Sequence, residues 1–195
     1  MANGTYHHGN LKKELIQNGL LLLNKEGVEG FSLRKVARMT GVSHSAPYKH
    51  FKNKEELINE INKEVWEEFY IDLLEVANVH AKDSKLQIIE LGKAYVKFMV
   101  ENPEHFKFMF FSNTIYPIEI EGDKFTSDEN NSFELFKNSV ERYFKEMGLE
   151  KNLYVQKTLA LWSLVHGMAI LIAKDGIEYK GDYFELVENM ISVSL

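Results

Sequence analysis

The stretch from Ser32 to Lys54 constrains the fold more than any other part of the sequence. Gly41 follows a short segment of helical periodicity, where the end of a helix often needs a residue that accepts positive φ. Ser43 follows two residues later, and its hydroxyl can cap the start of another helix. Ala37 has the small side chain that a sharp helix crossing requires. The pattern predicts two short helices joined by a tight turn at Gly41.

The second of these helices would carry mostly short or polar side chains, an unusual composition for a buried face. The same composition suits a helix that lies in the major groove of DNA, where side chains reach the edges of bases. A helix-turn-helix with a purely structural role is the alternative. The residues on this helix are His44, Ser45, Ala46, Tyr48, Lys49 and His50.

The charge distribution favours the DNA-binding interpretation, although the net charge of the chain is −6. Residues 1–55 contain nine Lys and Arg against four Asp and Glu, a net charge of +5. The remaining residues contain 14 against 25, a net charge of −11, so the two parts sum to −6. A basic segment attached to an acidic body is expected of a DNA-binding protein whose second domain has another role. Chance clustering of solvated charge is the alternative.

Apolar periodicity and capping residues predict helices along the rest of the chain, so the expected fold is all-α with about nine helices. The sequence shows no alternating strand pattern or internal repeat. Residues 1–9 are expected to form a flexible arm and residues 112–129 a loop. Val28 and Phe31 are expected to pack beneath the helix-turn-helix. The other predicted helices are 11–26, 54–78, 84–100, one from Pro103, 131–147, 151–174 and 182–193.

Several polar residues are predicted to cap the starts of these helices. A capping box pairs an N-cap side chain with a Glu or Gln three residues later, and this pattern begins at Asn53, Ser84 and Asp182. Asn102 stands before a proline that suits the first turn of a helix. Gly19 lies inside the first helix, where glycine costs up to about 1 kcal/mol relative to alanine. A close contact with another helix would explain its presence there.

Composition excludes several classes of protein. The sequence has no Cys, so disulfides, Cys-ligated zinc and thiol chemistry are excluded. Its first residues lack the apolar segment of a secretory signal, and no uninterrupted apolar run approaches the roughly 20 residues of a membrane span. These features favour a cytoplasmic protein without a membrane partner. No cofactor is expected.

Six short motifs in the N-terminal part stand at spacings that are typical of one family. They are Tyr6-His7-His8-Gly9-Asn10-Leu11, Ser32-Leu33-Arg34, Val36-Ala37, Gly41-Val42-Ser43, Tyr48-x-His50-Phe51 and Lys54-x-x-Leu57. On these motifs the chain resembles the TetR family of bacterial transcriptional regulators, most densely over residues 6–58. Trp162-x-x-x-His166-Gly167 resembles the Trp-His-Gly signature of one subclass. Pro47 replaces the aliphatic residue of many relatives, although Ala-Pro-Tyr occurs in this subclass.

The resemblance implies a three-helix DNA-binding head, a linking fourth helix and a helical body for ligand binding and dimerisation. The corresponding domains are residues 9–69, with the helix-turn-helix at about 32–51, and residues 84–195. The resemblance also implies a cytoplasmic homodimer that binds a palindromic double-stranded DNA operator. A small-molecule effector would change the spacing of the two heads, and repression is the family default.

Chemistry and resemblance agree on roles for the DNA-binding candidates. Ser43, Tyr48 and Lys54 are predicted to contact phosphate groups. Arg34 is predicted to donate to a guanine edge, where its two-pronged donor fits O6 and N7. The remaining candidates are His44, Ser45 and Lys49 as base readers, Ala46 as a contact for a thymine methyl group, and His50 within the motif. Surface solvation is the alternative for each side chain.

The C-terminal body is rich in Phe and Met, and four of its residues are the predicted effector contacts. These residues are Phe106, Phe110, Trp162 and His166. They can line an apolar cavity with one titratable group, or they can be ordinary core. Arg142 is the only Arg of the body, so an anionic ligand would find no Arg clamp and an apolar, neutral or cationic effector is expected. The helices at 151–174 and 182–193 are the expected dimer contacts, because a nearly all-apolar helix needs partners on several sides.

Two other classes of function compete with a regulator. A helical enzyme is disfavoured, because the sequence has no nucleophile–base motif, phosphate-binding glycine loop or metal-ligand spacing. Glu101 and His105 are four residues apart, but Pro103 between them disrupts a shared helix face. An adaptor without operator binding is disfavoured by the basic, short-side-chain second helix.

Overall fold

The computed structural model describes residues 11–111, 118–126 and 131–195. This part of the chain holds eight α-helices, two short 3-10 helices and one two-stranded ribbon, so the all-α prediction is confirmed. The predicted N-terminal arm lies outside the described residues. The α-helices are α1 (Leu11–Gly30), α2 (Leu33–Thr40), α3 (Lys54–Val79), α4 (Ser84–Glu101), α5 (Pro103–Phe111), α6 (Ser132–Glu146), α7 (Tyr154–Ala173) and α8 (Tyr183–Ser194).

Two compact units make up the described chain. The first contains residues 11–66 and 107–111, and the second contains the other described residues. Helices α3 and α5 therefore contribute residues to both units. The 3-10 helices are Pro47–Lys49 in the first unit and Lys151–Leu153 in the second.

Apolar side chains at helical spacing build the core of the first unit. Gly19 lies against Ile61 in this core, because a Cβ atom at residue 19 would be 2.8 Å from Ile61 Cδ1. The close contact that is predicted at Gly19 is thus confirmed. Each large side chain buried in this way contributes roughly 1.5–3 kcal/mol. The buried residues of the cluster are Leu15, Ile16, Leu20, Leu22, Leu23, Phe31, Leu33, Val36, Phe51, Leu57, Ile61, Val65 and Phe108.

The segment around α2 matches the predicted turn closely. Ser32 caps the helix by accepting a hydrogen bond from the Lys35 backbone N–H at 3.3 Å. Gly41 adopts the left-handed conformation with φ 75°, and Ala37 is completely buried. Phe31 is buried as predicted, whereas the prediction for Val28 is wrong, because its side chain is 50% exposed. Val28 follows Gly27, whose φ of 69° and ψ of −179° kink the end of α1.

The capping predictions hold in part. Asn53 Oδ1 accepts from the Glu56 backbone N–H at 2.8 Å, while the Glu56 carboxylate accepts from the Lys52 N–H at 2.5 Å. Asp182 also caps as predicted, although it accepts from the Phe184 N–H. The cap of α4 is Asp83, not Ser84, and Asn102 bonds back to the Phe98 carbonyl at the end of α4 instead of capping α5.

In the second unit, α4 packs against α6, α7 and α8. The approach is close at Gly92, where an added Cβ would overlap Ile191 and lie 3.1 Å from Val165 Cγ1. A short ribbon pairs Ile120–Glu121 with Lys124–Phe125 in antiparallel register, within a stretch that the sequence predicts to be a loop. Strands of two residues are too short to produce a recognisable alternation.

Within one chain, helix α7 is buried on one face only, so the other helices of the chain do not supply partners on all the sides that the sequence predicts. Its buried residues are Val155, Thr158, Leu161, Val165, Met168 and Ala169. Leu171 is 42% exposed, and, apart from the neighbouring residues and the backbone of its own helix, no atom of the described chain lies within 4 Å of a Cβ built on Gly167. Residues Lys151–Ala173 are long and apolar enough to cross a membrane by length and composition alone, a test that core helices also pass. Here α7 packs on α4, α6 and α8.

Candidate nucleic-acid interface and aromatic cluster

Residues 43–50, hereafter the recognition segment, lie in the first unit immediately after the turn at Gly41. The sequence predicts a helix capped by Ser43, but the segment forms a turn that leads into the 3-10 helix Pro47–Lys49. Its backbone bonds span three residues, from Ala46 N–H to the Ser43 carbonyl at 3.0 Å and from Lys49 N–H to the Ala46 carbonyl at 3.1 Å. Pro47 has no N–H to donate to the Ser43 carbonyl, which favours the tighter winding.

Two buried residues hold the recognition segment against the core of the first unit. Pro47 is buried, and Phe51, which follows the segment, is 1% exposed. Ala46 is half-buried, and the Ser43 and Ser45 hydroxyl groups lie 3.2 Å apart. The other candidates point away from this core, since Ser43, His44, Ser45, Tyr48, Lys49 and His50 are all exposed.

Three basic residues near the segment differ in what they contact. Arg34 is exposed on α2. Lys54 begins α3, and its ammonium group donates to the Val28 carbonyl at 3.4 Å. Lys35 donates to the Glu26 carboxylate at 2.5 Å and to the Gly30 carbonyl at 2.8 Å, and the first of these bonds lowers the pKa of Glu26. The Arg34 side chain is thus exposed to solvent, whereas Lys35 forms hydrogen bonds with residues at the end of α1.

An aromatic cluster occupies the second unit around Trp162. The centroid of the Trp162 ring lies 5.3 Å from the ring centroid of Tyr95, 5.2 Å from that of Phe133, 5.3 Å from that of Phe136 and 5.0 Å from that of His166. Such distances are typical of attractive aromatic pairs. The aromatic cluster, consisting of these five residues, joins α4, α6 and α7.

Tyr95 and His166 make the polar contact inside the aromatic cluster. The Tyr95 hydroxyl oxygen lies 3.0 Å from His166 Nδ1 and 3.3 Å from Nε2. Burial lowers the pKa of His166 to about 4 and raises the pKa of the Tyr95 hydroxyl well above its usual value. Both side chains are therefore neutral at pH 7.

The structure brings two of the four predicted effector residues together. Trp162 and His166 lie together in the aromatic cluster, as predicted. Phe106 is buried within the second unit, whereas Phe110, one turn further along α5, belongs to the first. Sequence reasoning missed Tyr95, because a tyrosine at an ordinary core position of α4 gives no signal of its partner 71 residues away. No cluster of His, Asp and Glu among the described residues is able to hold a metal ion.

Comparison with protein families finds a matching family model for each of the two parts of the chain. Residues 15–61 match the family model described as bacterial regulatory proteins, tetR family. Residues 88–193 match the model described as the tetracyclin repressor-like C-terminal domain. The second match alone covers more than half of the chain.

Individual relatives are similar over nearly their whole length. The HTH-type transcriptional regulator YobS of Bacillus subtilis is 23% identical over 178 residues, which cover 91% of this chain and 86% of YobS. A TetR family regulator from Marinobacter aquaeolei VT8 superposes with a TM-score of 0.71 at 16% identity, over 94% of each chain. The fatty acid degradation regulator FadR from Bacillus halodurans gives 0.64 at 16% identity, again over 94% of each chain. Structural likeness at these identities establishes the fold.

Proposed function

Because the chain belongs to the TetR family and is a DNA-binding transcriptional regulator, we propose that it is a cytoplasmic, ligand-responsive repressor that binds a palindromic operator as a homodimer. The observation that carries this proposal is the recognition segment, which presents six polar or basic side chains to solvent while Pro47 and Phe51 hold it in place. Family membership also decides against the enzyme hypothesis. The DNA-binding domain would be residues 9–69 and the regulatory domain residues 84–195.

The proposed DNA contacts divide into two chemical classes. Ser43, Tyr48 and Lys54 would bind phosphate groups and fix the register on the duplex. Arg34 would donate to a guanine edge from α2. The base-reading residues would be His44, Ser45 and Lys49, with Ala46 against a thymine methyl group and His50 beside them. The exposure of Arg34 and of the recognition segment supports this assignment.

Dimerisation would use α7 and α8, because one chain leaves much of their apolar surface uncovered. Leu171 on α7 is 42% exposed and Val193 on α8 is 87% exposed. The open space beside Gly167 would admit a helix of the partner subunit. Apolar surface of this kind is most stable when a second copy covers it, and a two-fold axis is the commonest solution for a homo-oligomer.

The effector would be a largely apolar small molecule that binds at Trp162 and His166, with Phe106 of the same unit as a further contact. The body has one Arg, so an anionic group would lack an Arg clamp. To release DNA, the effector must bind one spacing of the two heads more tightly than the other. Membership of the Trp-His-Gly subclass stays a prediction.

The decisive experiment is selection of bound duplexes from a genomic fragment library, followed by footprinting. We expect a two-fold symmetric footprint whose half-sites lie about one helical turn, roughly 34 Å, or a multiple of it apart, because symmetric heads must meet the same groove face. The operator's position would also identify the regulated genes. A single asymmetric half-site, or retention of no fragment, would contradict the proposal.

A further inference from the structure

We propose that Gln87 and Arg142 are positioning residues for operator binding, because together they cap the C-terminal end of α3 and fix the direction of this helix in the second unit. Helix α3 is continuous from Lys54 to Val79, with residues 54–66 in the first unit and residues 67–79 in the second. The direction of α3 at its cap thereby sets the half-site spacing that the dimer accepts. The inference rests on the proposed homodimer and palindromic operator, and it adds two residues outside the DNA-binding domain to what determines operator choice.

The first argument is the hydrogen bonding at the end of α3. The last carbonyl groups of an α-helix have no partner within the helix, and a buried one needs a donor from elsewhere. In a longer helix the Ala81 N–H would donate to the Ala77 carbonyl, but here it donates to the Asn78 carbonyl at 3.4 Å. The side-chain amide of Gln87 on α4 donates to the Ala77 carbonyl instead, at 2.5 Å. Ala77 and Gln87 are both buried, so loss of the amide would leave this carbonyl without a donor.

Arg142 of α6 completes the cap. Its Nη2 donates to Gln87 Oε1 at 3.0 Å, so the amide nitrogen of Gln87 is left to face α3. Its Nη1 donates to the Ala81 carbonyl, in the connection between α3 and α4, at 2.8 Å. The planar guanidinium group thus binds two elements at once, which a lysine ammonium group does not do in the same fixed geometry. Glu146, one turn further along α6, lies 3.9 Å from Arg142 Nε and accepts from the Ser84 hydroxyl at the start of α4.

The charge of Arg142 is the second argument. The C-terminal end of a helix carries a partial negative charge that a nearby cation stabilises. The last turn of α3 has no basic residue, and Arg142 is the only Arg of residues 84–195. The start of α3 is capped by its own neighbour Asn53, whereas its end is capped by side chains of two other helices. The direction of α3 in the second unit is therefore decided by α4 and α6 through these two side chains.

Half-site spacing separates a positioning role from a loss of stability. The probes are a duplex with the palindrome selected by the parent protein, versions with two base pairs inserted or removed between the half-sites, and a duplex with one half-site. A single half-site needs one head, whereas the palindrome gains avidity only when both heads are held at the matching distance. We expect Arg142→Met to bind the palindrome about tenfold more weakly than the parent and to lose part of the spacing preference. Its affinity for the single half-site should be unchanged, whereas a loss of folded protein would weaken binding to every duplex alike.

The distance between the two heads is a second, direct measurement. The sequence has no Cys, so Gln17→Cys at an exposed position of α1 attaches one spin label to each subunit. We expect a narrow distribution of label-to-label distances in the DNA-free parent dimer. Arg142→Met should broaden this distribution, because α3 then leaves its cap in more than one direction.

Two further variants identify the cap as the cause. Gln87→Met removes the amide at similar volume and should reproduce both effects. The double variant should add little to either single change, because the two residues act as one unit. Lys145→Met is the matched control, since Lys145 is an exposed basic residue in the last turn of the same helix as Arg142. It removes one positive charge and should bind every duplex as the parent does.

Three results would overturn the inference. These are a parent-like spacing preference and distance distribution in Arg142→Met, equal weakening of half-site and palindrome binding, or the same changes in Lys145→Met. A parent protein without a distance between subunits, or without a symmetric footprint, would overturn the proposed function as well. A parent with both properties and unchanged cap variants would count against the cap alone.

Discussion

The Lys54 ammonium group donates a hydrogen bond to the backbone carbonyl of Val28 at 3.4 Å, so a residue proposed to contact DNA also contacts the kinked end of α1. The bond is long and solvent-exposed, and a DNA phosphate would be a stronger, charge-assisted acceptor. The contact therefore holds the lysine near the start of α3 without preventing a phosphate contact.

Replacing Lys54 by Ala should weaken binding to all DNA sequences alike. The salt dependence of the logarithm of the binding constant should flatten by about one unit for each phosphate that the variant no longer neutralises. Titrations of a selected and an unrelated duplex at several salt concentrations measure both effects. Lys63→Ala is the matched control, since Lys63 is an exposed lysine of the same helix without a proposed DNA contact. A salt slope that is equal in Lys54→Ala and the parent would remove the phosphate role.

Arg34→Ala should behave differently, because Arg34 is proposed to read a base. We expect it to lose about 1–3 kcal/mol of discrimination at one base position in each half-site. Binding measurements on operators substituted at single positions would locate the effect. Arg38→Ala, a change of another exposed arginine on α2, should leave the base preference intact. Equal losses of specific and non-specific affinity in Arg34→Ala would show that Arg34 contacts phosphate.

Local sequence signals predicted much of the fold because the deciding interactions lie within a few residues. Gly41 and Asn53 act on their own helix ends as predicted, and Ala37 is completely buried. The winding of the recognition segment was harder to predict. A cap at Ser43 and an absent N–H at Pro47 favour different helix types, and the structure follows the proline.

Features that depend on distant residues could not be predicted in this way. Asp83 and Ser84 are both good caps; Asp83 caps α4, whereas the Ser84 hydroxyl donates to Glu146 on another helix, a partner that the local sequence does not indicate. The Tyr95–His166 contact likewise requires α4 and α7 to pack together. Trp162 and His166 are one turn apart on α7, so the sequence predicts that they lie close together. It does not predict that Tyr95 of α4 contacts both of them.

The packing of α4 against α8 should make Gly92 intolerant of a side chain. A Cβ at residue 92 would overlap Ile191, which is 1% exposed and cannot move into solvent. Gly92→Ala should therefore lower the free energy of unfolding by about 1–3 kcal/mol, despite the better helix propensity of alanine.

A double-mutant cycle with Ile191→Val tests the cause of this loss. Valine lacks the Cδ1 atom that an added Cβ would meet, so the double variant should be more stable than the sum of the two single changes predicts. Urea unfolding at one protein concentration gives the four free energies. Strict additivity would mean that residues 92 and 191 do not clash.

The pH dependence of stability should report the burial of His166. Its pKa is about 4 in the folded protein, against about 6.5 for an unfolded histidine, so the unfolded chain binds more protons between these values. Stability from this residue is therefore complete above about pH 6.5 and is lost as the pH falls towards 4. Because His166 is only half-buried, the loss between pH 7 and pH 4 should be about 1–3 kcal/mol.

His166→Gln removes the titrating group and isolates its contribution. Asp72 and Glu141, whose carboxyl pKa values are raised by burial, act in the opposite direction, because the folded protein binds their protons more tightly. Both residues are present in parent and variant, so the difference between the two unfolding curves cancels them. We expect that difference to shrink as the pH falls from 7 to 4, in urea titrations at matched protein concentration. A difference that is constant over this range would mean that His166 takes up a proton as easily in the folded protein as in the unfolded chain.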